Sequence, residues 1–204
     1  MWALVEDNAI TKIINNPKAM VIGDVRHSRN IFSFRWTNEE REAIGLYEIV
    51  FDNSNKRDEA YYTNTNQSFD FADGVATASY GSATPKELDD RNATDKAGEE
   101  LDPVVVIEGL KTKHKKIIKN QASGLLDKTD WYNHKALDDA TFTIPANITT
   151  YRANVRTRSN EMETAIDNAS DVDALATLYQ YVNTGTEENP VMERPLGEFP
   201  TLEV

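Results

Sequence analysis

Between Gly81 and Asp102 the chain carries seven acids (Glu87, Asp89, Asp90, Asp95, Glu99, Glu100 and Asp102) against Lys86, Arg91 and Lys96, with little apolar material. Like charge and low apolar content argue against a packed element through most of that stretch. The two flanks differ in kind. Before it, short apolar runs alternate and are bounded by turn residues; after it, apolar residues recur every three or four positions. Strands followed by helices, rather than alternating with them, predict an α+β protein. It would have a β-rich N-terminal domain over 1–82 with one short helix, then an acidic linker over 83–102. A helical domain over 103–183 and an extended C-terminal arm over 184–204 would follow.

In the first part, Trp2 to Val5 and Ile10 to Ile14 flank Glu6-Asp7-Asn8-Ala9, a composition suited to a hairpin. Pro17 ends that pairing, and Val21 to Asp24 and Ile31 to Phe34 are further short apolar pieces. Thr37-Asn38-Glu39-Glu40 reads as a capping box, with Thr37 reaching the Glu40 amide and Glu40 reaching back. The helix it opens ends at Gly45, placed where a left-handed residue is wanted, and Leu46 to Phe51 reads as a strand. Phe69 to Ala72 and Val75 to Tyr80 flank Asp73-Gly74, the clearest hairpin signal in the chain.

In the second part, Asp102-Pro103 reads as a helix start, the acid capping and the proline filling the first helical position. Ile107, Leu110, His114, Ile117, Gln121 and Leu125 form a stripe at helical spacing. Asp127 to Phe142 looks irregular around Trp131. Pro145 opens a second helix carrying Ile148, Tyr151, Val155, Met162 and Ile166, and Ser170-Asp171-Val172-Asp173 caps a third running through Leu175, Leu178, Tyr179 and Val182. An antiparallel hairpin with a third helix across it is the expected packing. Past Asn183, two glycines and three prolines forbid a helix, leaving an arm with Val191, Met192, Leu196, Phe199 and Leu202 as scattered apolar anchors.

Chemistry is hard to find. The chain has no cysteine, which excludes disulfides, thiolate metal sites and a cysteine nucleophile. His27, His114 and His134 form no short-range metal pair, and no phosphate-binding glycine loop or nucleophile elbow occurs. Asp70 with Asp73, or Asp89 with Asp90, are pairs that 34 acids produce by chance. No catalytic residue, metal or cofactor is expected. A net charge of −12 and a pI near 4.7 disfavour nucleic acid and anionic membrane surfaces as partners. The N-terminus has no apolar signal region, and no apolar run approaches the ~18 residues of a membrane span.

What stands out is material for protein contact. Lys111, Lys113, Lys115, Lys116 and Lys119 are either a dock for an acidic segment, the preceding linker included, or a solvated helix face, the latter preferred. Trp131, beside Tyr132, reads as a plug closing the open end of two helices, with a partner hot spot as the alternative. Arg152 and Arg156 share a helix face, where they clamp Asp127 or Asp130 or present a basic strip to a partner.

The stretch Leu125-Leu126-Asp127-Lys128-Thr129-Asp130-Trp131, then Ile144-Pro145 and Tyr151-Arg152-Ala153-Asn154-Val155-Arg156, resembles the helical C-terminal part of a group of bacteriophage tail proteins and tail-fibre assembly proteins. Trp2 to Ile10, Arg29 to Phe32, Trp36 to Leu46 and Val75 to Leu88 are similar to that group's small N-terminal domain. The resemblance implies a non-catalytic protein acting in a phage tail, at the baseplate or a fibre attachment. Its partners would be other tail or fibre proteins, in several copies of a symmetric assembly. It would be made in the host cytoplasm and carried in the virion. The group also contains dissociable fibre-assembly chaperones, a competing role; a polysaccharide-degrading enzyme would need long β-repeats, and no fixed period appears here.

Overall fold

Positive-φ turns pin two hairpins of one curled sheet in the computed structural model, which describes residues 1–202. Asp7 (φ 52°) and Asn8 (φ 60°) join β1 (Trp2–Glu6) to β2 (Ala9–Ile14). Both central residues having positive φ is what a tight primed turn requires. The register slips between Leu4 and Val5, where Thr11 is the extra residue, its hydroxyl donating to the Leu4 carbonyl at 3.3 Å. A separate two-stranded hairpin, β3 (Met20–Ile22) with β4 (Val25–His27), turns at Gly23. Then come a 3₁₀ turn (Arg29–Phe32), α1 (Asn38–Glu42) and β5 (Leu46–Asp52). After the short β6 (Tyr62–Thr63), Asp73-Gly74 joins β7 (Ser68–Ala72) to β8 (Val75–Ser79), with φ 52° and 79° at the turn. The two-residue β9 (Thr84–Pro85) lies where this unit, Met1–Thr84, ends.

The sheet order is β2-β1-β5-β8-β7, antiparallel except for β5 against β8. The end strands β2 and β7 approach each other, so the sheet curls. Strand β1 is buried on both faces, which is why Trp2-Ala3-Leu4-Val5 shows no polar alternation. Ala3 and Val5 join Ile49, Ala76 and Ala78 on one side; Leu4 joins Ile14, Ile31 and Leu46 on the other. The capping box forms as read, Thr37 N donating to Glu40 Oε2 at 2.8 Å and Glu40 N to Thr37 Oγ1 at 3.2 Å. Arg41, unremarked in the sequence, is buried; its Nε donates to the Ile31 carbonyl at 2.8 Å and its guanidinium lies 4.9 Å over the Trp2 ring.

The second unit begins at Pro85, so the segment read as a linker is built into it. Strand β10 (Arg91–Asn92) pairs with β11 (Val106–Ile107), and Asp95 Oδ1 accepts from the Ala97 and Glu99 amides at the turn between them. Helix α2 (Leu110–Asp127) does not start at Asp102-Pro103, a bond that is cis; it starts seven residues later, after Gly109. The run Val104-Val105-Val106-Ile107 is β-branched throughout and favours extended chain. The cap comes instead from Asp90, whose carboxylate accepts from Gly109 N at 2.8 Å and from Thr112 Oγ1 at 2.9 Å. These two donors, the amide first, hold the Asp90 carboxyl below the usual carboxylate range.

Helix α4 (Ala146–Asp167) runs antiparallel to α2, tied by Lys115–Asp167 (2.6 Å) and Lys119–Glu163 (3.2 Å). Its buried face holds the five residues read from spacing, plus Arg152 and Ser159. On α2 the stripe is rotated: Ile118 and Ala122 are buried, while Ile117 and Gln121 face solvent. With isoleucine at both 117 and 118, periodicity does not choose between them. The irregular stretch contains α3 (Asp130–Asp138). The third helix, α5 (Val172–Thr177), is capped by Asp171 as read but is shorter, Val182–Asn183 forming β12 against β13 (Met192–Glu193). The arm is not free. Leu196 N donates to the Leu178 carbonyl at 2.9 Å, Leu196 is buried, and Phe199 and Leu202 pack on Ala122, Tyr151 and Val155.

Two outcomes test this account. Gly45 has φ 76°, and a Cβ there would meet the Val5 carbonyl oxygen at 2.5 Å. Gly45→Ala should therefore destabilise by about 2 kcal/mol or more, whereas Gly124→Ala, in open space within α2, should stabilise by up to about 1 kcal/mol in chemical denaturation. His114 is half-buried with its ring 4.8 Å from Tyr179, and burial pushes its imidazole below the ordinary value. The folded state then binds fewer protons than the unfolded one, so stability should fall as pH drops below about 6.5, and His114→Phe should flatten that slope in melts between pH 7 and 5.

Candidate functional site

The junction of α2 and α3 is where the sequence-derived candidates converge. Helix α2 ends at Asp127, and Thr129, a buried polar residue, donates its hydroxyl to the Leu126 carbonyl at 2.9 Å. Arg152 reaches across from α4. One guanidinium nitrogen donates to Leu126 O at 2.8 Å and to Thr129 Oγ1 at 2.6 Å, and another meets Asp130 Oδ1 at 2.7 Å. Of the two acids expected in a clamp, Asp130 is held. Arg156 is exposed and outside the clamp, its Nη1 approaching only the Arg152 carbonyl, at 3.4 Å.

Because Arg152 and Thr129 fill the junction, Trp131 is not the plug. It sits in the first turn of α3, 51% exposed, stacked on Tyr132 with ring centroids 3.8 Å apart and planes 30° apart. Phe142, which the sequence reading did not single out, lies 6.4 Å from Trp131 and 6.3 Å from Tyr132, with Lys135 Nζ 4.4 Å over its ring. Leu137, also unremarked, is 83% exposed, and α3 has no buried residue at all. A helix with no fully buried residue, yet with a ring stack and an exposed leucine, presents apolar area to whatever meets it. The available signal was the aromatic spacing around Trp131 together with a cluster of apolar residues too short to form a core face.

The arm candidates divide. Leu196, Phe199 and Leu202 are spent on their own unit, while Val191 and Met192 are exposed on the β12–β13 hairpin. The lysine run is spent likewise: Lys111 pairs with Asp89 at 3.1 Å, Lys116 with Glu108, and Lys115 and Lys119 with α4. The acidic segment thus takes one of the lysines, and Lys113 faces solvent. No family model, curated protein or solved structure matches this chain.

Removing Arg152 would take one donor from the Leu126 carbonyl, which keeps those of Thr129, and would strip the Thr129 hydroxyl oxygen and the Asp130 carboxylate of their buried cationic donor. Arg152→Met should cost about 3 kcal/mol in denaturant unfolding, against under about 0.5 kcal/mol for Arg156→Met.

Proposed function

We propose that this protein is a non-catalytic structural component of a bacteriophage tail, at the baseplate or a fibre attachment, that works by docking other tail or fibre proteins. The observation that carries the reading is the half-exposed Trp131 stacked on the partly buried Tyr132 in the first turn of a helix fixed there by a buried arginine, with Phe142, four residues past the helix end, beside them. Trp and Tyr dominate the energy of protein interfaces, and rings already held in place lose little freedom on docking. The phage assignment rests on the resemblance of the Thr129-Asp130-Trp131 and Tyr151-Arg152 stretches.

A second reading, a dissociable fibre-assembly chaperone, gains from one observation. The C-terminal arm lies on its own helices, so it offers no ready strap for permanent attachment to a neighbour. Mass spectrometry of purified particles separates the two. Fixed stoichiometry in mature virions supports the structural role; absence there, with rescue of fibre solubility on co-expression, supports the chaperone.

In either role Trp131→Ala should change folding stability by less than about 1 kcal/mol, since the ring is half exposed, yet weaken binding to the fibre or tail partner about thirtyfold or more. Unchanged affinity in a titration would remove α3 from the docking surface.

A further inference from the structure

Charge is unevenly spread in this acidic chain. Between Ala9 and Trp36 stand Lys12, Lys18, Arg26, Arg29 and Arg35 with Asp24 as the sole acid, a local net of +4 in a protein of net −12. All five cations are exposed, and among the described residues none has a side-chain hydrogen bond or an ion pair. The other bases of that unit, Arg41, Lys56 and Arg57, are each engaged. Five unpaired cations so close in sequence repel one another, a cost that an anionic partner would relieve.

The same segment is apolar where it faces out. In the β3–β4 hairpin Val21 lies opposite Arg26, and residues opposite each other share a face. Met20 and Ile22 point to the other face, against the Leu4, Ile14, Ile31 and Leu46 cluster, so Val21 and Arg26 face solvent together. Phe34, just beyond, is 95% exposed. As a two-stranded sheet, β3–β4 also has an open strand edge.

A counterpart exists in the chain's second unit. The β10–β11 hairpin is likewise two-stranded, with Val104, Val105, Val106 and Ile107 all exposed, and Glu99, Glu100 and Asp102 precede that run. The first hairpin with its flanks, Lys18 to Arg29, is apolar and carries three bases against Asp24; the second, Arg91 to Ile107, is apolar and carries four acids against Arg91 and Lys96. We propose that the β3–β4 hairpin of one copy docks on the β10–β11 hairpin of a second copy, assembling the protein head to tail. The two surfaces differ, so the contact is heterologous and propagates into a ring or a filament. Nucleic acid fits less well, because the whole chain repels phosphate and the exposed valines need an apolar partner. The assembly uses none of the α3 aromatic face, so it stands apart from the docking role proposed above.

Sedimentation velocity of the full chain tests it. Wild type should associate with rising concentration, and less so when salt rises from about 0.05 to about 0.5 M. The double variants Arg26→Gln/Arg29→Gln and Glu99→Gln/Asp102→Asn should each be monomeric with unchanged melting. Mixed in equal amounts, they should form a dimer and stop, since one intact junction survives per pair. Trp131→Ala should associate like wild type. A wild type monomeric at every concentration, variants that assemble alone, or a mixture that stays monomeric would each overturn the proposal. So would a monomeric wild type that instead binds a single-stranded oligonucleotide.

Discussion

A buried guanidinium at the end of α2 governs the geometry of the second unit. The last carbonyls of a helix have no partner within it, and a side chain, a turn or water must supply one. Here Arg152 donates to Leu126 O while also holding Thr129 and Asp130. One residue of α4 therefore ends α2, fixes the turn and anchors the first residue of α3. A planar, permanently charged fork can serve three acceptors together; a lysine ammonium on a flexible stem matches that spread poorly. Burying the charge is tolerable because both terminal nitrogens of the guanidinium meet oxygens, one of them a carboxylate.

The first unit uses the same device. Arg41 satisfies the Ile31 carbonyl and the Asn38 side chain, and stacks on Trp2, joining the 3₁₀ turn and α1 to the sheet. Acids do the matching work at helix starts. Asp90 caps α2 from the loop just before β10, Asp171 caps α5 locally through the Ala174 amide, and Glu40 closes the capping box of α1. Part of the acidity that made the 83–102 segment look like a linker is thus spent on backbone donors, by Asp90 and Asp95, and on Lys111 and Arg91, by Asp89 and Glu87. Carboxylates near a helix N-terminus are favourable where the same charges clustered in loose chain would repel.

How much of this was legible in the sequence follows from how local each cause is. The hairpins at Asp7-Asn8 and Asp73-Gly74, the Thr37 cap, Gly45 and the Asp171 cap are decided by a few adjacent residues, and each is where the pattern put it. The α4 face was readable because its apolar residues have no rival register. What misled were features whose partners lie far away. Asp102-Pro103 has the form of a helix start, but the β-branched run after it and the distant Asp90 carboxylate moved the start to Gly109. Trp131 looked like a plug because nothing local shows that an arginine 21 positions later already fills the junction. The arm past Asn183 looked like one to be laid on a neighbouring protein, since the groove that takes Phe199 and Leu202 exists only once α2 and α4 have packed.

The folded-back arm also changes what kind of binding this protein can do. A free, apolar-studded arm would pay a large ordering cost on docking and would reward that cost with a long wrap. With Leu196 buried, and with Phe199 and Leu202 packed on the helices, those contacts are made before any partner arrives. What is left for partners is preformed: a ring stack on a pinned helix, and short hairpins with open edges. Such surfaces lose little entropy on association, so modest contact areas suffice, and the resulting affinity depends on whether Trp131 finds a pocket rather than on total area. That favours many reversible, geometrically defined contacts over one entwined attachment, whichever of the two proposed roles the protein fills.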